Sequence, residues 1–111
     1  MDKKAWEKEL EEYDRIVAMQ TEFKRKGKTV PYTSANGYMF SLLNKEGKIG
    51  FRLSPASGKK FMEDHNTTIF KSHGAVMRDY VLIPKRLYTN DQLMKDTLYE
   101  GYQYVMSLPP K

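Results

Sequence analysis

The sequence predicts an α+β fold in two layers, an antiparallel sheet with helices packed on it, in the order α-β(3)-α-β(2)-α. The stretch Val30 to Leu53 reads VPYTSANGYMFSLLNKEGKIGFRL, with Asn36-Gly37 and Glu46-Gly47 between apolar runs. Asn-Gly in that position is the strongest short-range hairpin signal, because a type I′ turn needs φ > 0 at both central residues. Both ends of the chain instead space their apolar residues by three and four, as helices do. Between them, Ser54-Pro55 reads as a helix start and Val76 to Ile83 as a β-rich run closed by Pro84.

Asp2 to about Arg25 reads as an amphipathic helix. Trp6, Leu10, Tyr13, Val17 and Gln20 form a stripe that Ile16 and Phe23 widen, with Glu7, Lys8, Glu11, Glu12 and Arg15 mostly opposite. Lys24-Arg25-Lys26-Gly27-Lys28 falls at its expected end, where cations suit the negative end of the helix dipole and Gly27 supplies a left-handed cap. Val30 to Ala35 is the first strand, and Pro31, with no amide to donate, pushes it to a sheet edge. Tyr38 to Leu43 carries bulky apolar groups on both alternating faces and is expected in the sheet interior.

The next hairpin leaves two registers open. A two-residue Glu46-Gly47 turn places Phe40 and Leu42 on the face of Ile49, Phe51 and Leu53, whereas a three-residue loop with a glycine bulge places Met39 and Leu43 there. A short helix then runs to about His65, with Phe61 and Met62 as its chief apolar groups. Thr67 to Phe70 is a brief strand, and Gly74 punctuates before the longer one. Thr89, three residues before Gln92, matches a capping box, and Leu93, Met94, Leu98, Tyr102, Val105 and Met106 make the last helix's stripe before Pro109-Pro110 ends it.

With 111 residues the chain is expected to be one domain, 1–111, burying roughly two thirds of its surface without staples. It contains no cysteine, which excludes disulfides and thiolate metal sites and fits a reducing compartment. The N-terminal stretch is charged and no run approaches the roughly 18 apolar residues of a membrane span, so a soluble cytoplasmic protein is expected. The net charge of +5 is uneven, with −3 on residues 1–23 and +8 on the remainder. A basic body behind an acidic leading segment is the electrostatic feature of the sequence to follow.

The predicted element order, together with particular residues between Asn36 and Val105, resembles the N-terminal domain of the TfoX/Sxy family. Asn36-Gly37 followed by Met39-Phe40-Ser41-Leu42 resembles the family's turn and M-F-A-L strand, and Gly47 to Leu53 its next strand, ending in a basic and an aliphatic residue. Phe61, Ile69-Phe70, Tyr80, Ile83-Pro84 and Leu87 recur at family-like spacings. The resemblance implies a fold similar to YjbR-like and secretion-chaperone-like proteins, and a regulatory role in a bacterial cytoplasm. Lys26-Gly27-Lys28-Thr29 stands where the family has M-F-G-G, and the C-terminal domain of full-length competence regulators has no counterpart in these residues. Regulation of competence genes is therefore not expected, and no catalytic residue is carried over.

No enzymatic constellation emerges. His65 and His73 lack thiol partners and H-E-x-x-H spacing, Asp64-His65 and Ser72-His73 are neighbours that rarely face one another, and no phosphate-binding glycine loop is present. No catalytic group, metal site or cofactor is expected. A binding module fits better: Lys24, Arg25, Lys26 and Lys28, joined by Lys45, Lys48 and Arg52, are candidates for weak phosphate-backbone contact with nucleic acid, with Tyr32 and Tyr38 as stacking groups. The competing explanations are helix capping for the cations and ordinary packing for the tyrosines. A homodimer is the third class, since eight tyrosines, seven methionines and Trp6 supply interface material. A non-enzymatic regulatory module for protein or nucleic acid is the leading expectation, with a small-molecule-binding domain or small enzyme as the alternative.

Overall fold

The computed structural model describes residues 1–111. Helix α1 (Lys3–Ala18) is followed by β1 (Tyr32–Ala35), β2 (Tyr38–Leu43), β3 (Ile49–Arg52), α2 (Pro55–His65), β4 (Ile69–Ser72), β5 (Ala75–Ile83), a short 3-10 turn (Lys85–Leu87) and α3 (Asp91–Met106). The strands form one antiparallel sheet of five in the order β1-β2-β3-β5-β4. The α+β class and the order α-β(3)-α-β(2)-α follow the sequence. So do the edge position of β1 beside Pro31 and the interior position of β2. Asn36 and Gly37 both take positive φ, 56° and 83°, as the predicted turn requires.

The helices share one face of the sheet. Tyr13, Ile16 and Val17 of α1, Phe61 of α2 and Met94, Leu98 and Val105 of α3 meet Phe40, Leu43, Ile49, Phe51, Val81 and Ile83 in one core. Ser54 caps α2 by accepting from the Ser57 N–H at 3.2 Å, as Ser-Pro predicts. The opposite face has no helix. It carries a smaller cluster in which Phe70 of β4 packs with Leu42 and Tyr80 and lies where a side chain on Gly50 would be, 2.6 Å from the position of a Cβ.

The β2–β3 register is that of the three-residue loop, Lys45-Glu46-Gly47 with Gly47 at φ 76°, not the two-residue turn; Phe40 still reaches the face of Ile49 because of a bulge against β1. Ser41 faces Phe51 and Leu43 faces Ile49, while Thr33 opposite Ser41 and Ser34 opposite Met39 leave Phe40 as an extra residue in β2. This bulge turns Phe40 to the same side as Leu43, so both enter the helix-side core and Leu42 and Met39 face the other way.

Two helix boundaries differ from expectation. Helix α1 ends at Ala18 rather than near Arg25. Tertiary partners draw the next residues apart: the Gln20 amide donates to the Lys95 carbonyl at 2.8 Å, Phe23 meets the Phe40 ring edge-on at 4.8 Å, and Arg25 turns back to Asp14. A continuous helix would hold Arg25 roughly 16 Å from Asp14 along its axis. Helix α3 is capped by Asn90, not Thr89. The Asn90 side chain accepts from the Leu93 N–H at 3.1 Å, and Gln92 bonds Asp96 instead of closing a capping box. Met106 is half exposed, and Thr97 and Gly101 are buried instead.

Candidate polyanion-binding site

The predicted cluster does not cap α1, whose last turn lies before it, and its four cations do not line one groove. Arg25 is held by both carboxylate oxygens of Asp14, at 2.8 and 3.1 Å, and donates to the Gly27 carbonyl at 2.7 Å. The Asp14 hydrogen bond pushes its pKa above the ordinary guanidinium value. Lys26 exchanges both backbone hydrogen bonds with Tyr32, extending the β1 edge, and its ammonium donates to Ser34 Oγ at 3.2 Å. Lys24 lines a groove of about 470 Å³ together with Phe23 and the Arg25–Asp14 pair. Lys28 is directed elsewhere.

Lys28 joins Lys3 and Lys45 around a second groove, of about 400 Å³, with Trp6 in its wall. The assembly is explicable step by step. Asp2 accepts from the Ala5 N–H at 2.8 Å, starting α1 at Lys3 and placing Trp6 one turn on. The Trp6 indole Nε1–H donates to the Asn44 carbonyl at 2.9 Å, which brings the β2–β3 loop, and with it Lys45, against the start of α1. The loop from α1 to β1 supplies Lys28. None of the three lysines has a carboxylate partner, and the groove's one acid, Asp2, is engaged as the cap.

Three acids of the leading segment are paired, Glu9 (buried) with Lys85 at 3.1 Å, Glu12 with Arg15 at 3.1 Å and Asp14 with Arg25, while Glu7, Glu11 and Glu22 have no ion-pair partner. Arg52 lies away from the groove, with its guanidinium over the Tyr38 and Tyr104 rings at 5.5 Å from each centroid and Asp79 3.8 Å distant. The Tyr38 hydroxyl donates to the Pro109 carbonyl at 2.7 Å, and Tyr32 packs on the Leu42–Phe70–Tyr80 cluster, so neither tyrosine lines the lysine groove.

His65 lies against Phe61, ring centroids 4.6 Å apart, and His73 occupies the β4–β5 turn at φ 54°. No group of three or more His, Asp or Glu side chains is placed to hold a metal ion, and no helix is long and apolar enough to cross a membrane. Sequence reasoning missed Lys3 and the role of Trp6. Lys3, Lys28 and Lys45 are far apart along the chain, and Trp6 reads as one member of an apolar stripe. Compared with known proteins, the chain matches no family model and no curated relative.

Proposed function

We propose that the protein is a non-enzymatic binding module that contacts the phosphates of nucleic acid through the Lys3–Lys28–Lys45 groove. The observation that carries this is the convergence of three lysines from three separate segments on one groove, with no carboxylate paired to any of them. Three lysines against the single carboxylate of Asp2 leave the groove with an excess of positive charge, which a polyanion offsets while releasing its own counterions. Within this reading the chain is a TfoX N-terminal-like regulatory module of a bacterial cytoplasm. Its support is the element order and the Asn36-Gly37 turn into Met39-Phe40-Ser41-Leu42.

Contact to three phosphates gives log K a slope of about −2.7 against log[salt] on duplex DNA, and Lys28→Gln with Lys45→Gln flattens it by about 1.8. Fluorescence anisotropy with a labelled duplex measures both. Arg25→Gln, which removes a cation already paired with Asp14, leaves the slope unchanged. Absence of binding at low salt, or a slope that follows Arg25 instead, overturns the reading.

Self-association is a second reading, favoured by β4. This strand is an unpaired sheet edge, and the β4–β5 hairpin exposes Ile69 (39%) and Val76 (57%). Light scattering across a concentration series shows a rise from monomer to dimer mass that Val76→Glu suppresses; a constant monomer mass into high micromolar protein rejects it.

A further inference from the structure

We infer that the nucleic acid bound is a single strand, which crosses the β2–β3 loop from the Trp6 groove into a second basic groove on the far side and stacks a base on Trp6; this rests on the nucleic-acid reading above. The second groove, of about 320 Å³, combines Lys48 and Lys71 with an apolar floor of Ile69 and Leu82. Lys45 and Lys48 stand three residues apart on one loop yet line different grooves, so the loop is a saddle with a cation on each slope. Lys48 and Lys71 also lack carboxylate partners, and Glu46, the acid of this groove, accepts from Asn44 Nδ2 at 3.0 Å.

Asn44 makes the saddle rigid. It is 2% exposed. Its Oδ1 accepts from the N–H groups of Glu46 and Lys48 at 3.0 and 2.9 Å, its Nδ2 donates to the Lys71 carbonyl at 3.4 Å, and its own carbonyl accepts from the Trp6 indole. One buried residue thus ties Trp6, the loop and β4 together, so both grooves keep a fixed relation before any ligand arrives. Preorganisation of this kind lowers the entropic cost of binding.

The chemistry of the walls selects the ligand. A duplex presents phosphates but keeps its base faces stacked inside, where an indole and an aliphatic floor have nothing to touch. An unpaired strand offers phosphates and base faces together, and a base stacked on an aromatic ring adds affinity with little dependence on sequence. The half-buried Trp6 ring is already oriented by its Nε1 hydrogen bond.

Trp6 is the sole tryptophan, so its fluorescence reports on the site directly. Oligothymidylate of about 12 nucleotides, titrated at low salt, quenches Trp6 and binds more tightly than a duplex of equal length. Five lysine–phosphate contacts give a salt slope of about −3.5 on the single strand, and Lys48→Gln with Lys71→Gln, both at exposed positions, flattens it by about 1.4. Equal or tighter binding of the duplex, an unquenched indole, or a slope insensitive to Lys48 and Lys71 overturns the single-strand path. If duplex binding still depends on Lys28 and Lys45, the nucleic-acid reading survives that result. No binding of either probe at low salt overturns both.

Discussion

Tyr13, Ser41 and Thr33 bring three hydroxyls together inside an otherwise apolar layer. The Tyr13 hydroxyl and Ser41 Oγ are 2.7 Å apart and Thr33 Oγ1 and Ser41 Oγ 2.5 Å, all fully buried. A buried hydroxyl without a partner is costly, so this chain of bonds favours one arrangement of α1 over the β1–β2 pair. Tyr13→Phe removes one link and is expected to cost about 1–2 kcal/mol, read from the urea midpoint. Burial also pushes the ionisation of Tyr13, Tyr80 and Tyr88 above the ordinary 10.0. A pKa raised on folding contributes stability that is fully present below the unfolded value and lost as pH rises through the folded one. Stability is therefore level with respect to these groups up to about pH 10 and falls beyond it, with their phenolate absorbance appearing only on unfolding. Early ionisation of all eight tyrosines in the folded protein would contradict this.

At the scale of elements, the closest approach of α3 to the sheet is decided by Gly101. A Cβ there would stand 2.5 Å from the Arg52 carbonyl oxygen, a backbone atom that cannot swing aside. Alanine improves helix propensity by roughly 1 kcal/mol, while forcing the helix off the strand costs about 1–3 kcal/mol. Gly101→Ala is thus expected to destabilise the protein, and a raised urea midpoint would show that α3 can shift freely. The sequence places a helix here but assigns Gly101 no role, because a glycine inside a helical pattern looks the same whether or not a strand passes over it.

For the whole molecule, Phe40 is the junction. Its ring meets Phe23 from the α1–β1 loop at 4.8 Å and Tyr102 of α3 at 5.9 Å, and it is completely buried. Phe40→Ala is expected to cost about 3–5 kcal/mol, a large share of the 5–15 kcal/mol or so of a typical domain. Thermal denaturation checks it. A loss under about 1 kcal/mol would mean that the three segments can close over the void.

The sequence by itself determined those features that depend on residues a few positions apart. The Asn36-Gly37 turn needs only its own φ preferences, Ser54-Pro55 caps its own helix, Pro31 lacks its own amide, and the two-faced apolar run of Tyr38 to Leu43 requires cover on both sides wherever it lies. Tertiary structure alone decided where α1 stops, how a bulge turns Phe40 to the helix side, and which cations share a groove. Each of these turns on partners distant in the chain: Gln20 with Lys95, Phe40 with Tyr102, Trp6 with Asn44. The run of cations from Lys24 to Lys28 reads as one patch because its residues are adjacent. Folding gives Arg25 to Asp14, ties Lys26 to Ser34, and sends Lys28 to meet Lys3 and Lys45, since neighbouring side chains in a loop point in different directions and only the surrounding elements fix where each arrives.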